Sequence, residues 1–549
     1  MSQPTFRIEA NLVDIFAGRT YPAEVEIARG QIVSVSETSG NYSTYLLPGF
    51  VDAHVHVESS MLVPSEFARA AVVHGTVASV SDPHEIANVL GLEGVRYMLD
   101  DAAQVPFKFN FGAPSCVPAT PFETAGDEIN VEQIELLLDD PRIGYLSEMM
   151  NYPGVLGGDP IVMAKIRAAQ QRGKPIDGHA PGLRGEQAEA YLAAGITTDH
   201  ECFTKEEALD KLACGAKILI REGSAARNFE TLYTLIDEYP ERCMLCSDDK
   251  HPDELLSSHI NSLVSRAVRH GIDTMNVLRV ACVNPVLHYG MNVGLLRPGD
   301  DADFIEVNDL EEFAVHRTWI KGHLVAENGE TTIPRDPPGP INRFRDRARE
   351  VVEFHIPAEG TAVHVIEALD GELVTRRLVE EAKIVDGHAV SDPQRDILKI
   401  AVVNRYQPAD VSVAFVRNFG LKRGALASSV AHDSHNVIAV GVDDEDLCAA
   451  VNLVIGSSGG LSVVAGDVRE VLPLPVAGLM STDTCADVGR AYAVLDQKVK
   501  QFGSQLRAPF MTLSFMALLV IPELKISDKG LFDGNRFEFL PLFCTNEGK

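Results

Sequence analysis

The sequence predicts an α/β protein built on a (β/α)8 TIM barrel, with a small β-sandwich domain formed from both flanks and a C-terminal mixed α/β domain. Three observations predict this architecture. β-like runs alternate with helix-like stretches over about 240 residues, close to the usual length of such a barrel. Segments of purely β character lie on either side of this region. Residue types that bind metals follow the ends of several predicted strands.

The predicted barrel strands are short apolar runs bounded by turn residues. In chain order they span residues 46–56, 76–82, 107–117, 144–150, 175–179, 195–200, 216–221 and 242–248. The stretches VEQIELLLDD and GEQAEAYLAAG have the apolar spacing of helices and lie between strands. An open doubly wound sheet is the rival fold, but it would place ligands at one switch point and not after many strands.

The flanking segments predict the remaining domains. Residues 5–48 and 301–330 both alternate in β-like runs, so we expect them to complete one another. The predicted domains are a discontinuous β-sandwich of residues 1–48 and 295–333, a metal-binding barrel of residues 49–294, and a C-terminal α/β domain of residues 341–549 that could cover the active site. The segment PRDPPGP, residues 334–340, is a stiff linker between the last two.

The composition is that of an ordinary globular protein and excludes some partners. Against 78 Asp and Glu there are 48 Lys and Arg, which gives a net charge of −30, so no nucleic-acid partner is expected. No signal peptide is evident, and no apolar stretch reaches the roughly 20 residues of a membrane helix. The nine cysteines, with Cys243 and Cys246 the one closely spaced pair, indicate reduced thiols in a cytoplasmic protein.

Potential metal ligands end five of the predicted strands. They occur in DAHVH, GYLSEMMN, IDGHAPG, TTDHE and LCSDD, and they are His54, His56, Glu148, His179, His200 and Asp248. Because the C-terminal ends of barrel strands converge on one mouth, these side chains should meet there. Residues two apart in a strand point to the same side, so His54 and His56 can bind one ion together.

Four imidazoles and two carboxylates without a thiolate suit Zn, Mn or Fe(II). Two ions that share one carboxylate leave room for a bridging water, whose pKa the two charges would lower towards neutrality. The HxH pair alone is a weak signal, because among 17 histidines about one such pair is expected by chance. The stronger signal is the joint pattern, which random placement would rarely produce.

Longer motifs show a family resemblance. PGFVDAHVH, residues 48–56, resembles the first-strand signature of the amidohydrolase superfamily, and GLLRPGDDADFIEVN, residues 294–308, resembles its return to the β-sandwich. Within that superfamily PGFVDAHVHVESSM, SVSDPHEIANVLG, LSEMMNYPGV, IDGHAPGL and SDDKHPDEL are similar to bacterial adenine deaminases. SSVAHDSHNVIAVG and LPLPVAGLMS extend the likeness into the last third of the chain.

The resemblance implies a binuclear centre and a reaction. His54, His56 and Asp248 would hold one ion and His179 and His200 the other, with Glu148 between them in place of the carboxylated lysine of many relatives. Mn(II) or Fe(II) would be favoured over Zn(II). The implied reaction is hydrolysis of adenine to hypoxanthine and ammonia in purine salvage, by attack of a metal-bridging hydroxide on C6. Asp248 would carry a proton to the departing amine. The implied assembly is a homo-oligomer, with a dimer expected.

Other polar residues are candidates for substrate contact. Glu58 and Glu201 could each protonate the purine ring, although Glu58 could also support a histidine from behind. Predicted substrate-binding residues are Asp82, His84, Arg221, Glu222 and His435. His84 could instead bind a further metal or cap a helix, and Arg221 and Glu222 could pair on the rim. His435 belongs to AHDSHN, residues 431–436, a polar cluster that either reaches over the barrel mouth or packs at an interface.

Two alternative functions compete with adenine deamination. One is hydrolysis of another cyclic amidine or amide, because the specificity for a ring resides in loops. The other is a scaffolding role without metals, which the presence of all six expected ligands disfavours.

Overall fold

Eight parallel strands form a closed barrel in the middle of the chain. The computed structural model describes residues 5–345 and 347–544. Its barrel strands are β1 Phe50–Val55, β2 Thr76–Ser81, β3 Lys108–Ala113, β4 Ile143–Met149, β5 Ile176–Gly178, β6 Thr198–Asp199, β7 Lys217–Arg221 and β8 Cys243–Cys246. Each strand overlaps its predicted range, so the predicted (β/α)8 fold is confirmed.

Hydrogen bonds close the barrel. Strands β1 to β5 pair in order as one sheet, and β6 to β8 pair as another. The backbone N–H of Thr197 donates to the carbonyl of Ile176 at 2.9 Å, which joins β6 to β5. The N–H of Asp248 donates to the carbonyl of His54 at 2.9 Å, which joins β8 to β1. The C-terminal ends of all eight strands therefore surround one mouth.

Helices connect the strands and cover the outside of the barrel. They are Pro64–Ala71, His84–Leu90, Leu92–Ala102, Val131–Asp139, Tyr152–Gly157, Pro160–Gln171, Gly185–Ala193, Lys205–Ala213, Phe229–Leu232, Leu235–Glu238, Pro252–Ser257, Ile260–Arg269, Thr274–Leu278 and Asn284–Tyr289. Both helices predicted from their apolar spacing form. Asn130 begins one of them by accepting the N–H of Gln133 in a capping box.

The two flanks of the barrel join in one eight-stranded sheet. Its strands are Thr5–Asp14, Arg19–Ala28, Gln31–Glu37, Tyr45–Pro48, Phe304–Val307, Val315–Ile320, His323–Glu327 and Glu330–Thr331. Tyr45–Pro48 pairs with Thr5–Asp14 on one side and with Phe304–Val307 on the other. Gly49 then leads into β1, at a position where a Cβ would collide with the side chain of Val77. This sheet therefore anchors the first barrel strand.

The C-terminal region is built around a second eight-stranded sheet. In spatial order its strands are Thr375–Glu381, Ala362–Ala368, Ser412–Arg417, Ile397–Val403, Val437–Gly441, Ala425–Ser428, Gly460–Ala465 and Val468–Pro473. Two three-stranded sheets flank it, formed by Ile356–Pro357, Lys383–Val385 and His388–Val390, and by Leu524–Ser527, Gly530–Asp533 and Glu538–Leu540. The helices of this region are Asp444–Gly456, Cys485–Gln501 and Pro509–Phe515.

Hydrogen bonds place the C-terminal region over the mouth of the barrel. It contacts the loops that follow β1, β3 and β7, through the pairs Ser481 N–H to Met61 carbonyl at 2.8 Å, Asn436 Nδ2 to Thr124 carbonyl at 2.9 Å, and Ala226 N–H to Gly371 carbonyl at 2.9 Å. Since these loops rise from the C-terminal ends of the strands, the region covers the end of the barrel where the predicted ligands lie.

Two further expectations bear on the structure. None of the helices within the described ranges is long and apolar enough to cross a membrane. All nine cysteines are free thiols, as expected, and Cys243 and Cys246 are both buried in β8.

Candidate active site

The six residues predicted as metal ligands lie together at the mouth of the barrel. His54 lies on β1 and Glu148 on β4, while the other four follow the ends of their strands. All six are buried, with at most 6% of their surface exposed. The fold thus gathers side chains that lie up to 194 residues apart in the sequence.

One group of donor atoms comes from the first and last strands. The Nε2 atoms of His54 and His56 lie 3.2 Å apart. Asp248 Oδ1 lies 3.7 Å from His54 Nε2 and 3.3 Å from His56 Nε2. The Nδ1 atom of His56 lies 3.3 Å from the carbonyl of Asp82, a contact that leaves Nε2 free as a donor to a metal.

Glu148 joins this group to a second one. Its Oε2 lies 2.7 Å from His179 Nδ1 and 3.1 Å from His200 Nε2. Its Oε1 lies 3.4 Å from His56 Nε2. One carboxylate therefore spans both groups of imidazoles, as a bridging ligand would.

Burial and the charges of the cluster shift the pKa values of its members. Burial, together with neighbouring His200 and His56, lowers the pKa of His54 well below its usual range, so this imidazole is neutral. Burial alone would raise the pKa of Glu148, but His179 and His200 hold it well below its usual range. Although burial opposes it, neighbouring carboxylates raise the pKa of the other three histidines, His56, His179 and His200. A divalent cation bound between these groups would displace those protons, and imidazoles and carboxylates that converge in a buried site are suited to hold one.

Arg221, at the end of β7, fixes the two carboxylates beside this centre. Its Nη1 lies 2.6 Å from Asp248 Oδ2, and its Nη2 donates to Glu201 Oε2 at 2.8 Å. A further contact joins Nη1 to Glu201 Oε1. Although burial opposes ionisation, Arg221 keeps the pKa values of Asp248 and Glu201 below their usual range. Both groups are therefore ionised and held in place.

A cavity lies between the metal centre and the C-terminal region. Besides the centre, its walls include side chains from barrel loops and from the C-terminal region, namely His84, Glu85, Met150, Asp249, Leu373, His432, Asp433, Phe515 and Leu518. The wall is charged on the barrel side and largely apolar at Leu373, Phe515 and Leu518. Such a wall suits a flat heterocycle that carries polar edges.

Comparisons with known proteins agree with the division of the chain into a barrel and a C-terminal region. Residues 45–325 match the amidohydrolase family, and residues 372–538 match the adenine deaminase C-terminal domain. The adenine deaminase of Salinibacter ruber is 56% identical over 98% of this chain and 99% of that protein. Those of Sulfurovum sp. and Methanosarcina acetivorans are 54% and 52% identical, each over 97% of this chain and 99% and 98% of the relative. The chain belongs to the adenine deaminase family.

Glu201 and Glu58, the two glutamates predicted as acids, have different surroundings in this protein. Glu201 is bound by Arg221 through both oxygens and lines the cavity as an ionised group. Glu58 lies in the turn Val57–Ser60 and outside the cavity wall, where its Oε1 accepts the N–H of Ile86 at 3.2 Å. Burial raises the pKa of Glu58 to about 7.

The loop after β2 brings His84 to the cavity. Asp82 Oδ1 accepts the N–H of His84 at 3.1 Å, and Asp82 Oδ2 lies 3.2 Å from His84 Nδ1. His84 Nδ1 also lies 3.5 Å from Glu148 Oε1. His84 therefore begins the helix His84–Leu90 and contacts the centre as well, whereas Asp82 supports it from behind and does not line the cavity.

Two other predicted substrate-binding residues lie away from the cavity. Glu222 follows Arg221 directly, so it points to the other side of the chain, where both its oxygens pair with Arg266 at 2.9 Å. His435 lies behind Glu85, and its Nδ1 accepts the N–H of Ala431 at 3.2 Å. In the AHDSHN cluster it is His432 and Asp433 that line the cavity.

Several residues of the cavity wall could not be assigned from the sequence. Glu85 and Asp249 stand inside the motifs SDPHEIANVLG and SDDKHPDEL, next to residues that were assigned. A charged residue beside a predicted site residue was therefore the available signal. Leu373, Phe515 and Leu518 carry no such signal, because an apolar side chain that lines a cavity has the same pattern in the sequence as one in the core.

Proposed function

We propose that the protein catalyses the hydrolytic deamination of adenine to hypoxanthine and ammonia, as a step of purine salvage. The observation that carries the proposal is a barrel centre of four histidines and two carboxylates, covered by a region that matches the adenine deaminase C-terminal domain. The relatives of this name, 46–56% identical over nearly the whole chain, support it.

The proposed cofactor is a pair of divalent cations, with Mn(II) or Fe(II) favoured over Zn(II). His54, His56 and Asp248 would hold one ion, His179 and His200 the other, and Glu148 would contact both. When bound, such cations supply Lewis acidity and lower the pKa of water.

Asp248 is the proposed proton carrier. Its carboxylate is ionised and has one oxygen on Arg221 and the other towards the histidine pair, so it can accept a proton as water attacks C6 of adenine. It then gives that proton to the amino group, which leaves as ammonia. Since one group accepts and then returns the proton, Asp248 ends each turnover ionised.

The deciding experiment measures ammonia release and the absorbance change from adenine to hypoxanthine. Protein loaded with Mn(II), Fe(II) or Zn(II) is compared with protein stripped by a chelator. Turnover that requires metal and disappears on stripping is expected. No turnover of adenine in any of the three forms, with two ions bound per chain, would contradict the proposal and would favour another cyclic amidine or amide as the substrate.

The cytoplasmic location and the homodimer stay predictions from the sequence.

A further inference from the structure

Three side chains at the boundary between the barrel and the C-terminal region form a linear array. Glu85 follows His84 in the barrel loop after β2, and His432 and His435 belong to the C-terminal region. His432 Nδ1 lies 2.5 Å from Glu85 Oε1, and His435 Nε2 contacts Glu85 Oε2. All three residues are at most 3% exposed. The array therefore joins the two parts of the chain beside the cavity.

The backbone fixes the tautomer of His435. Its Nδ1 accepts the N–H of Ala431 at 3.2 Å, so Nδ1 carries no proton and Nε2 does. Burial lowers the pKa of His435, which keeps the ring neutral. A proton on Nε2 excludes this nitrogen as a metal ligand and makes His435 a hydrogen-bond donor to Glu85.

Glu85 in turn holds a proton on His432. Burial opposes ionisation of both groups, yet the histidines keep the pKa of Glu85 well below its usual range. Glu85, with Asp249 next in importance, raises the pKa of His432 to about 9. His432 is therefore an imidazolium near neutral pH, with an N–H on each ring nitrogen.

The second nitrogen of His432 is the unused one. Nδ1 faces Glu85, the backbone N–H of His432 donates to Ser514 Oγ at 3.3 Å, and the ring packs on Phe515 at 5.2 Å between centroids. Nε2 is buried and has no hydrogen-bond partner among residues 5–345 and 347–544. Since the residue lines the cavity, a charged donor is available there to a bound molecule.

The two glutamates predicted as acids are less suited to this role. Glu201 is bound to Arg221, and Glu58 does not line the cavity. His84 faces Asp82 and Glu148 with Nδ1, and its Nε2 lies 3.5 Å from Glu85 and 3.8 Å from Asp433. His432 combines a proton, a fixed ring and a ring nitrogen without a hydrogen-bond partner among the described residues.

We propose that His432 is the catalytic acid that protonates N1 of the purine, with Glu85 and His435 as its positioning residues. The proposal deepens the proposed adenine deamination and rests on it. As the water oxygen bonds to C6, the C6–N1 π pair moves to N1, which takes the proton from His432 Nε2. One proton of the water passes through Asp248 to the amino group, which leaves C6 as ammonia. When the hydroxyl on C6 becomes C6=O, it releases the other proton of the water, which restores the imidazolium of His432.

The test uses the full-length, metal-loaded protein and the variants His432→Gln and Glu85→Gln. His432→Gln should lower kcat for adenine by about 10²- to 10⁴-fold, with two metal ions still bound. His355→Gln, which changes an exposed histidine of the same region, is the matched control and should keep the wild-type kcat.

The pH profile separates an acid from a structural residue. In the wild type, kcat/KM should fall above pH 9, as His432 loses its proton. Glu85→Gln should move this fall to lower pH, because it removes the carboxylate that contributes most to raising the pKa of His432. The charged and titratable neighbours that remain are Asp249, Asp433, His251 and His435. In His432→Gln the fall should disappear.

Several outcomes would overturn the inference. One is a His432→Gln protein that keeps kcat within threefold of the wild type. Another is loss of metal in step with loss of activity, which would make His432 a structural residue. A fall above pH 9 that stays in His432→Gln would also overturn it. Failure of the proposed function would show differently, as absence of turnover in the wild-type protein itself.

Discussion

Arg221 connects the two carboxylates on which the candidate site depends. Its guanidinium contacts Asp248 and Glu201, and no more than 2% of the side chain is exposed. A bidentate contact is geometrically specific because the planar guanidinium presents a fixed fork of N–H groups. A buried pair of this kind is costly to break, since removing one partner leaves the other charged and unpaired.

We therefore expect Arg221→Met to lower the free energy of unfolding by about 3–5 kcal/mol and to abolish adenine turnover. Arg142→Met is the control, because Arg142 also binds two aspartates, Asp100 and Asp140, but is 44% exposed. Exposed pairs contribute about 1 kcal/mol or less. Denaturant unfolding of both variants measures the difference, and equal losses would contradict the role assigned to Arg221.

Asp248→Asn tests the proton carrier directly. The amide keeps the size of the side chain but cannot accept a proton, so kcat for adenine should fall by about 10²- to 10⁴-fold. Asp410→Asn, at an exposed position of the C-terminal region, should leave kcat unchanged. Steady-state kinetics and metal analysis of both proteins provide the measurement. An Asp248→Asn protein with the wild-type kcat would remove Asp248 from the mechanism.

At the scale of elements, the loop after β3 fastens the C-terminal region to the barrel. Glu123 in this loop is buried and accepts from Thr120 Oγ1 at 3.2 Å, and its carbonyl accepts from Lys529 Nζ at 3.1 Å. Burial, reinforced by Asp433, raises the pKa of Glu123 to about 8. The folded protein therefore holds a proton here that the unfolded chain releases at about pH 4.5.

The sign of the pH dependence follows from this shift. Because the folded pKa is raised, the contribution of Glu123 to stability is complete below pH 4.5 and is lost as the pH rises to about 8. Replacing Glu123 by Gln removes this loss. Between pH 5 and pH 8.5 the stability of Glu123→Gln relative to wild type should improve by a few kcal/mol, measured by denaturant unfolding. The control is Glu128→Gln at an exposed position of the same loop; an equal improvement there would contradict the prediction.

The elements also show what the sequence could predict. Barrel strands such as β4 and β8 combine an apolar run with a polar residue at or just after the end, so their position and the place of that residue at the mouth could be predicted. The C-terminal sheet was predicted only as mixed α/β, because the pairing of Ile397–Val403 with Val437–Gly441 depends on contacts distant in sequence. For the same reason periodicity could not tell that His432 faces the cavity and His435 faces Glu85.

At the scale of the whole molecule, the candidate site is completed by one region covering another. The barrel supplies the proposed ligands, whereas Leu373, His432, Phe515 and Leu518 come from the C-terminal region and close the cavity above them. These four residues are at most 5% exposed. A bound molecule must therefore fit beneath a packed layer, and interiors of this kind tolerate little added volume.

This enclosure predicts selection by size. Adenine is a flat base, while adenosine adds a ribose at N9 that would need extra volume beneath this packed layer, so adenosine should react at least about 100-fold more slowly. Ammonia release from both compounds at equal concentration measures the ratio. Leu518→Ala removes part of the cover and should reduce the ratio, whereas Leu287→Ala, at a 61% exposed leucine, should not. Equal rates with the two substrates would contradict the prediction and would mean that the C-terminal region opens fully during turnover.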